Sequence, residues 1–89
     1  MNQCYYDRIS KGNRTYRLTV FKEDNDYRLL FEQFEKTPST EEGKKYSKKK
    51  TFEQVIFFEN LQDVNISMLP LRPLAIRFIE KLQELKYAL

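Results

Sequence analysis

The chain has no histidine and no tryptophan, and only one cysteine, two glycines and three prolines in 89 residues. Without histidine, the usual hydrolytic triads and histidine-centred metal sites are missing. The lone thiol, Cys4, excludes an internal disulfide framework and a cysteine-based zinc site. It reads as a small apolar residue of a first strand. No apolar run approaches the roughly 18 residues that span a bilayer. No charged start with an apolar stretch and a small-residue cleavage site marks a secretory leader. There is no glycine-rich phosphate loop. Asp24, Asp26 and Asp63 lack calcium-loop spacing, and the pair Glu41-Glu42 has no metal-binding companion. No catalytic residue, cofactor or metal ligand is nominated. One domain over 1–89 is expected, cytoplasmic and non-enzymatic, acting by binding or assembly. A chain this short buries only about 60–65% of its unfolded surface, so its core is small and a partner can add to its stability.

What the chain does have is charge and aromatics. Sixteen Lys and Arg stand against thirteen Asp and Glu, a net charge of +3, and 15% of residues are aromatic. Five lysines fall in the run Lys44-Lys-Tyr-Ser-Lys-Lys-Lys50; the remainder of the chain is net −2. The basic character is therefore local, and a local lysine cluster attracts phosphate in a salt-dependent way. The preceding residues 37–43 contain Pro38 and Gly43 and no large apolar side chain. An exposed lysine-rich loop over about 37–50 is expected.

Along the chain the apolar period is two, then three to four. Gln3–Ser10 leans to strand, and Lys11-Gly12-Asn13 supplies turn chemistry. In Thr15–Lys22, Tyr16, Leu18 and Val20 alternate with Thr15, Arg17 and Thr19. In Tyr27–Lys36, Tyr27, Leu29 and Phe31 alternate with Arg28, Leu30 and Glu32. Both are half-buried strands. Thr51–Glu59 is a fourth strand, apolar on both sides from Val55 to Phe58, and Val64–Leu69 suggests a further short extended piece. Near Pro73 the period changes: Leu71, Leu74, Ala75, Phe78, Leu82, Leu85 and Leu89 line one face of an amphipathic helix. The expected fold class is α+β, a four-stranded antiparallel meander followed by one C-terminal helix, ββββα.

One helix covers one face of the sheet, and the other face must meet water, a ligand or another chain. With Tyr16, Leu18, Val20, Tyr27, Leu29 and Phe31 towards the helix, the open side carries Thr15, Arg17, Thr19, Phe21, Arg28, Leu30 and Phe34. Basic groups interleaved with rings suit single-stranded nucleic acid: cations hold phosphates and flat rings stack on unpaired bases. Expected phosphate and base contacts are Lys11, Asn13, Arg14, Arg17 and Arg28. Lys44, Lys45, Lys48, Lys49 and Lys50 add electrostatic attraction. Phe21 and Phe34 are the stacking rings, and Tyr5, Tyr6 and Tyr46 can also stack. The alternative is an apolar surface for a second copy or a protein partner, with the arginines paired across strands to Glu23, Glu32 or Glu53. The acids Glu32 and Glu53 count against a strongly anionic ligand at the centre of that face.

Asp7-Arg-Ile-Ser-Lys-Gly-Asn-Arg-Thr-Tyr-Arg-Leu-Thr-Val-Phe-Lys, a polar turn, and Tyr27-Arg-Leu-Leu-Phe-Glu-Gln-Phe resemble the opening of a PUR repeat of Pur-alpha-type proteins. Tyr16, Leu18 and Val20 match the family's aromatic–Leu–x–Val strand, and Pro73 to Tyr87 its helix. Whirly-type single-strand binders share the order of elements. The resemblance implies binding of single-stranded DNA or RNA and a homodimer joined through helices and sheets. It places base contacts at Ser10, Lys11, Asn13 and Arg14. Three features depart from the family pattern: the lysine run, the acidic turn Glu23–Asp26 and the long linker Asn60–Leu71.

Overall fold

A computed structural model of the chain describes residues 2–38, 43 and 45–88, with 85–88 as backbone only. Lys44, Glu41, Glu42 and Leu89, and the side chain of Leu85, lie outside what is described. Four strands, β1 (Asn2–Lys11), β2 (Arg14–Glu23), β3 (Asp26–Pro38) and β4 (Tyr46–Phe58), precede one helix, α1 (Arg72–Ala88). The sheet is antiparallel in the order β1-β2-β3-β4. This is the ββββα meander that the two periods predict.

Short turns set the registers. Lys11 pairs with Arg14 around Gly12-Asn13, and Glu23 with Asp26 around Asp24-Asn25. Gly12 takes φ of 61°, a left-handed conformation that glycine adopts without a Cβ penalty. The β3–β4 hairpin outruns the first turn, and the molecule is 52 Å long. Half of the expected loop over 37–50 is strand instead: β3 runs to Pro38 and β4 begins at Tyr46. Lys48, Lys49 and Lys50 pair in register with Lys36, Glu35 and Phe34. Cross-strand hydrogen bonding keeps extended a segment that its composition alone marks as a loop.

One irregularity matters for the open face. Gln33 pairs with Phe52 and Phe34 with Lys50, so Thr51 is an extra residue on β4. A bulge of this kind shifts the alternation of side chains by one. Below it Glu53, Val55 and Phe57 face away from the helix. Above it Lys48 and Lys50 do so, and Lys49 turns to the other side. Thr51 fixes the bulge by donating its hydroxyl to the Gln33 carbonyl at 3.4 Å.

The core lies between the sheet and α1. Leu18, Val20, Leu29 and Phe31 from β2 and β3 meet Leu74 and Phe78 from the helix, all essentially inaccessible to solvent. The Tyr5 and Phe78 rings lie 5.0 Å apart. On the exposed flank, Arg77 of α1 donates to Asp7 Oδ1 of β1 at 2.8 Å. The connection to the helix departs from expectation. Val64–Leu69 is extended only in part: Val64, Asn65 and Leu69 are, but a 3-10 turn, Ile66–Met68, interrupts them, and another, Leu61–Asp63, precedes them. Asn65 drives the second turn, its Oδ1 accepting from the Ser67 backbone N–H at 3.0 Å. The helix starts at Arg72, one residue before Pro73, after Leu71 at φ of 54°. The Leu71 carbonyl accepts from the N–H groups of Leu74 and Ala75.

Candidate functional site on the open sheet face

Cross-strand pairing arranges the uncovered face in rows. Tyr6, Thr19, Leu30 and Val55 form one row, and Gln3, Phe21, Arg28 and Phe57 the next. These make an apolar end. Towards the long hairpin come Arg8, Arg17, Glu32 and Glu53, then Ser10, Thr15, Phe34 and Lys50. Lys36 and Lys48 lie beyond them. The face is thus split into an apolar end and a basic end.

Glu32 organises the basic end. It is only 4% exposed, although no helix covers it. Arg17 supplies two nitrogens to Glu32 Oε1, at 2.9 and 3.0 Å. Lys50 Nζ lies 2.8 Å from Glu32 Oε2 and 3.3 Å from Glu53 Oε1. The Arg17 guanidinium also sits 4.8 Å from the centroid of the Phe34 ring. Burial pushes the Glu32 carboxyl up. The hydrogen bonds from Lys50 and Arg17, with their charges, outweigh burial and hold it below its ordinary value. Hydrogen bonds to Glu32 and Glu53 push Lys50 up.

A depressed carboxyl stabilises the fold above its unfolded pKa, about 4.3 for Glu, and that stability is lost as pH falls through the folded value. Glu32→Gln is therefore expected to lower the denaturation midpoint at pH 7. The gap to the unsubstituted chain should narrow as pH is lowered below about 4. Urea titrations at pH 7 and in that acid range check this; a gap that stays constant would assign the loss to packing.

Beside this network lies a concavity of about 340 Å³ lined by Tyr6, Arg8, Thr15, Arg17, Phe34 and Lys48. Among the described residues, neither Arg8 nor Lys48 has a carboxylate within ion-pair distance. The concavity therefore offers two uncommitted cations between two rings. It can hold an anion at Arg8 and Lys48 and a flat ring against Tyr6, or against the platform that Arg17 makes on Phe34.

The expected site residues divide. Lys48, Arg17 and Phe34 line the concavity. Lys11 and Asn13 are at the first turn, and the Asn13 carbonyl accepts from the Lys36 N–H at 2.9 Å, which sets that turn beside the lysine rows. Lys11, Arg14 and Lys49 fall on the helix side, in one row with Glu35, and Arg14 pairs with Glu35 at 3.2 Å. Lys45 is exposed near the hairpin tip. Lys50 lies on the open face but is engaged by Glu32 and Glu53. Phe21 and Arg28 are at the apolar end, away from the concavity, with the guanidinium 4.8 Å from the ring centroid and 3.8 Å from Glu23.

Arg8 was not among the expected contacts. Its signal was the alternation of Tyr6, Arg8 and Ser10 against Tyr5, Asp7 and Ile9 in β1. Among the described residues, no cluster of metal-ligating side chains occurs, and no helix is long and apolar enough to cross a membrane. No family model, curated protein or solved structure matches the chain.

Proposed function

We propose that this chain is a single-stranded nucleic-acid-binding domain, without catalytic activity, that takes its ligand on the basic end of the open sheet face. One observation carries the reading: the uncommitted cations Arg8 and Lys48 flank a concavity walled by Tyr6 and Phe34. Arg8 and Lys48 hold phosphates. Lys36 and Lys45 extend the positive track along the hairpin. Tyr6 and Phe34 take bases, each stack contributing about 1–3 kcal/mol. A duplex hides its base faces, so single strands are preferred. The resemblance to PUR repeats supports the same class of ligand, DNA or RNA. We assign this activity to the cytoplasm, where a chain with a lone cysteine needs no disulfide.

Fluorescence anisotropy with labelled single strands of DNA and RNA, with unlabelled duplex as competitor, tests the reading. Salt-sensitive binding that survives duplex competition is the expected result. Equal displacement by duplex would reduce the face to generic charge attraction.

The apolar end favours a second role beside the first. Phe57 is 62% and Val55 42% exposed on the same face as Leu30 and Phe21. We propose that this end serves association, as a homodimer or with a protein partner, consistent with the need of a short chain for more buried surface.

A further inference from the structure

The basic end holds a carboxylate where a phosphate binder would be expected to keep its cations free. Glu32 sits between Arg17 on β2 and Lys50 on β4, engages both within 3.0 Å, and is itself almost fully buried by them. Glu53 takes the remaining side of Lys50. Two of the cations nearest the concavity are thus engaged by the protein's own carboxylates, while Arg8 and Lys48 are not. The rings and the paired guanidinium remain available for stacking.

From this arrangement we propose that Glu32 is a built-in competitor of phosphate, a specificity-determining residue that keeps Arg17 and Lys50 from acting as phosphate ligands. The inference rests on the open face being the nucleic-acid site. Its consequence is a division of labour. Charge from the uncommitted cations alone is too little to hold a generic polyanion firmly. A ligand that also stacks on Tyr6 and on the Arg17–Phe34 platform is retained. Removing the carboxylate while keeping its shape releases Arg17 to any phosphate that approaches and leaves Lys50 held by Glu53 alone.

The test compares Glu32→Gln with Glu59→Gln, which changes net charge equally; Glu59 has no ion pair among the described residues. Two probes are titrated at several salt concentrations: a labelled single-stranded oligonucleotide, and inorganic polyphosphate, which has no bases. At about 0.7 of salt slope per phosphate contact, one to two freed cations steepen the slope by about 0.7–1.4 and tighten binding roughly five- to 25-fold near 0.1 M salt. Glu32→Gln is expected to show this with both probes, and Glu59→Gln with neither. Glu53→Gln, at the exposed end of the network, should give a smaller gain of about twofold, and serves where Glu32→Gln does not fold.

Equal responses of Glu32→Gln and Glu59→Gln would overturn the proposal, as would an unchanged slope in both network variants. The polyphosphate arm separates the two readings. A gain with polyphosphate but no single-strand preference in any variant retains the competitor and removes the nucleic-acid function. Single-strand binding by the unsubstituted chain with no gain in either variant retains the function and removes the competitor.

Discussion

Phe78→Ala is expected to cost about 3–5 kcal/mol, enough to unfold most of the chain at physiological temperature. Phe78 is 1% exposed and reaches from α1 into the cluster of Leu18, Val20, Leu29 and Phe31, with its ring 5.0 Å from that of Tyr5. Together with Leu74, it forms the apolar seam that holds the helix to the sheet. The Asp7–Arg77 pair on the flank has an exposed arginine, so it contributes little by comparison. Truncation removes the transfer energy of the ring and leaves a cavity that two stiff layers cannot close. Urea denaturation followed by circular dichroism checks this. A loss under about 1 kcal/mol would mean that the helix is anchored by other contacts.

The second large effect is on binding. Replacing Arg8 and Lys48 together by alanine is expected to weaken single-strand affinity roughly 25-fold at 0.1 M salt and to flatten the salt slope by about 1.4. Both side chains line the concavity without a carboxylate partner, so their removal frees no buried charge and leaves the core untouched. Lys81→Ala on the exposed side of α1 changes charge without touching the face and should alter affinity less than twofold. Equal losses from the double variant and from Lys81→Ala would place the binding surface elsewhere.

How much of this was legible in the sequence follows from the physics of alternation. Tyr16, Leu18 and Val20, with Tyr27, Leu29 and Phe31, name their own face because the side-chain period of a strand is two. The helix face from Leu74 to Leu82 is equally readable from its period of three to four. Faces fail to be legible where the period is broken. Thr51 adds one residue to β4, and this single insertion decides that Lys48 and Lys50 look away from the helix while Lys49 looks towards it. Nothing in a run of three lysines reveals that shift. Half of the loop expected over 37–50 is strand for a related reason. Lysine and serine have little strand propensity, and pairing with β3 overrides it.

The candidate site was legible only in its ingredients. Arg17, Phe34 and the lysine run were apparent, as was the possibility that Glu32 pairs with an arginine. That Glu32 would be buried on the uncovered face, holding two cations from two strands, depends on registers that β2, β3 and β4 set together. The uncommitted Arg8 was hidden because the two sides of β1 alternate between aromatic and charged residues on both faces. The acidic side chains of the open face, which on paper oppose an anionic ligand, turn out to be matched by cations one row or one strand away.

The central claim is that the basic end of the open face, not the lysine run as a free tail and not the helix, receives the single strand. Amide and side-chain NMR of the labelled chain during titration with a short single-stranded oligonucleotide tests it most directly. The account predicts shifts concentrated at Tyr6, Arg8, Thr15, Phe34 and Lys48, with Lys81 and Glu84 of α1 unmoved. Shifts spread along the lysines alone, or centred on Arg77 and Lys81 of the helix, would contradict it.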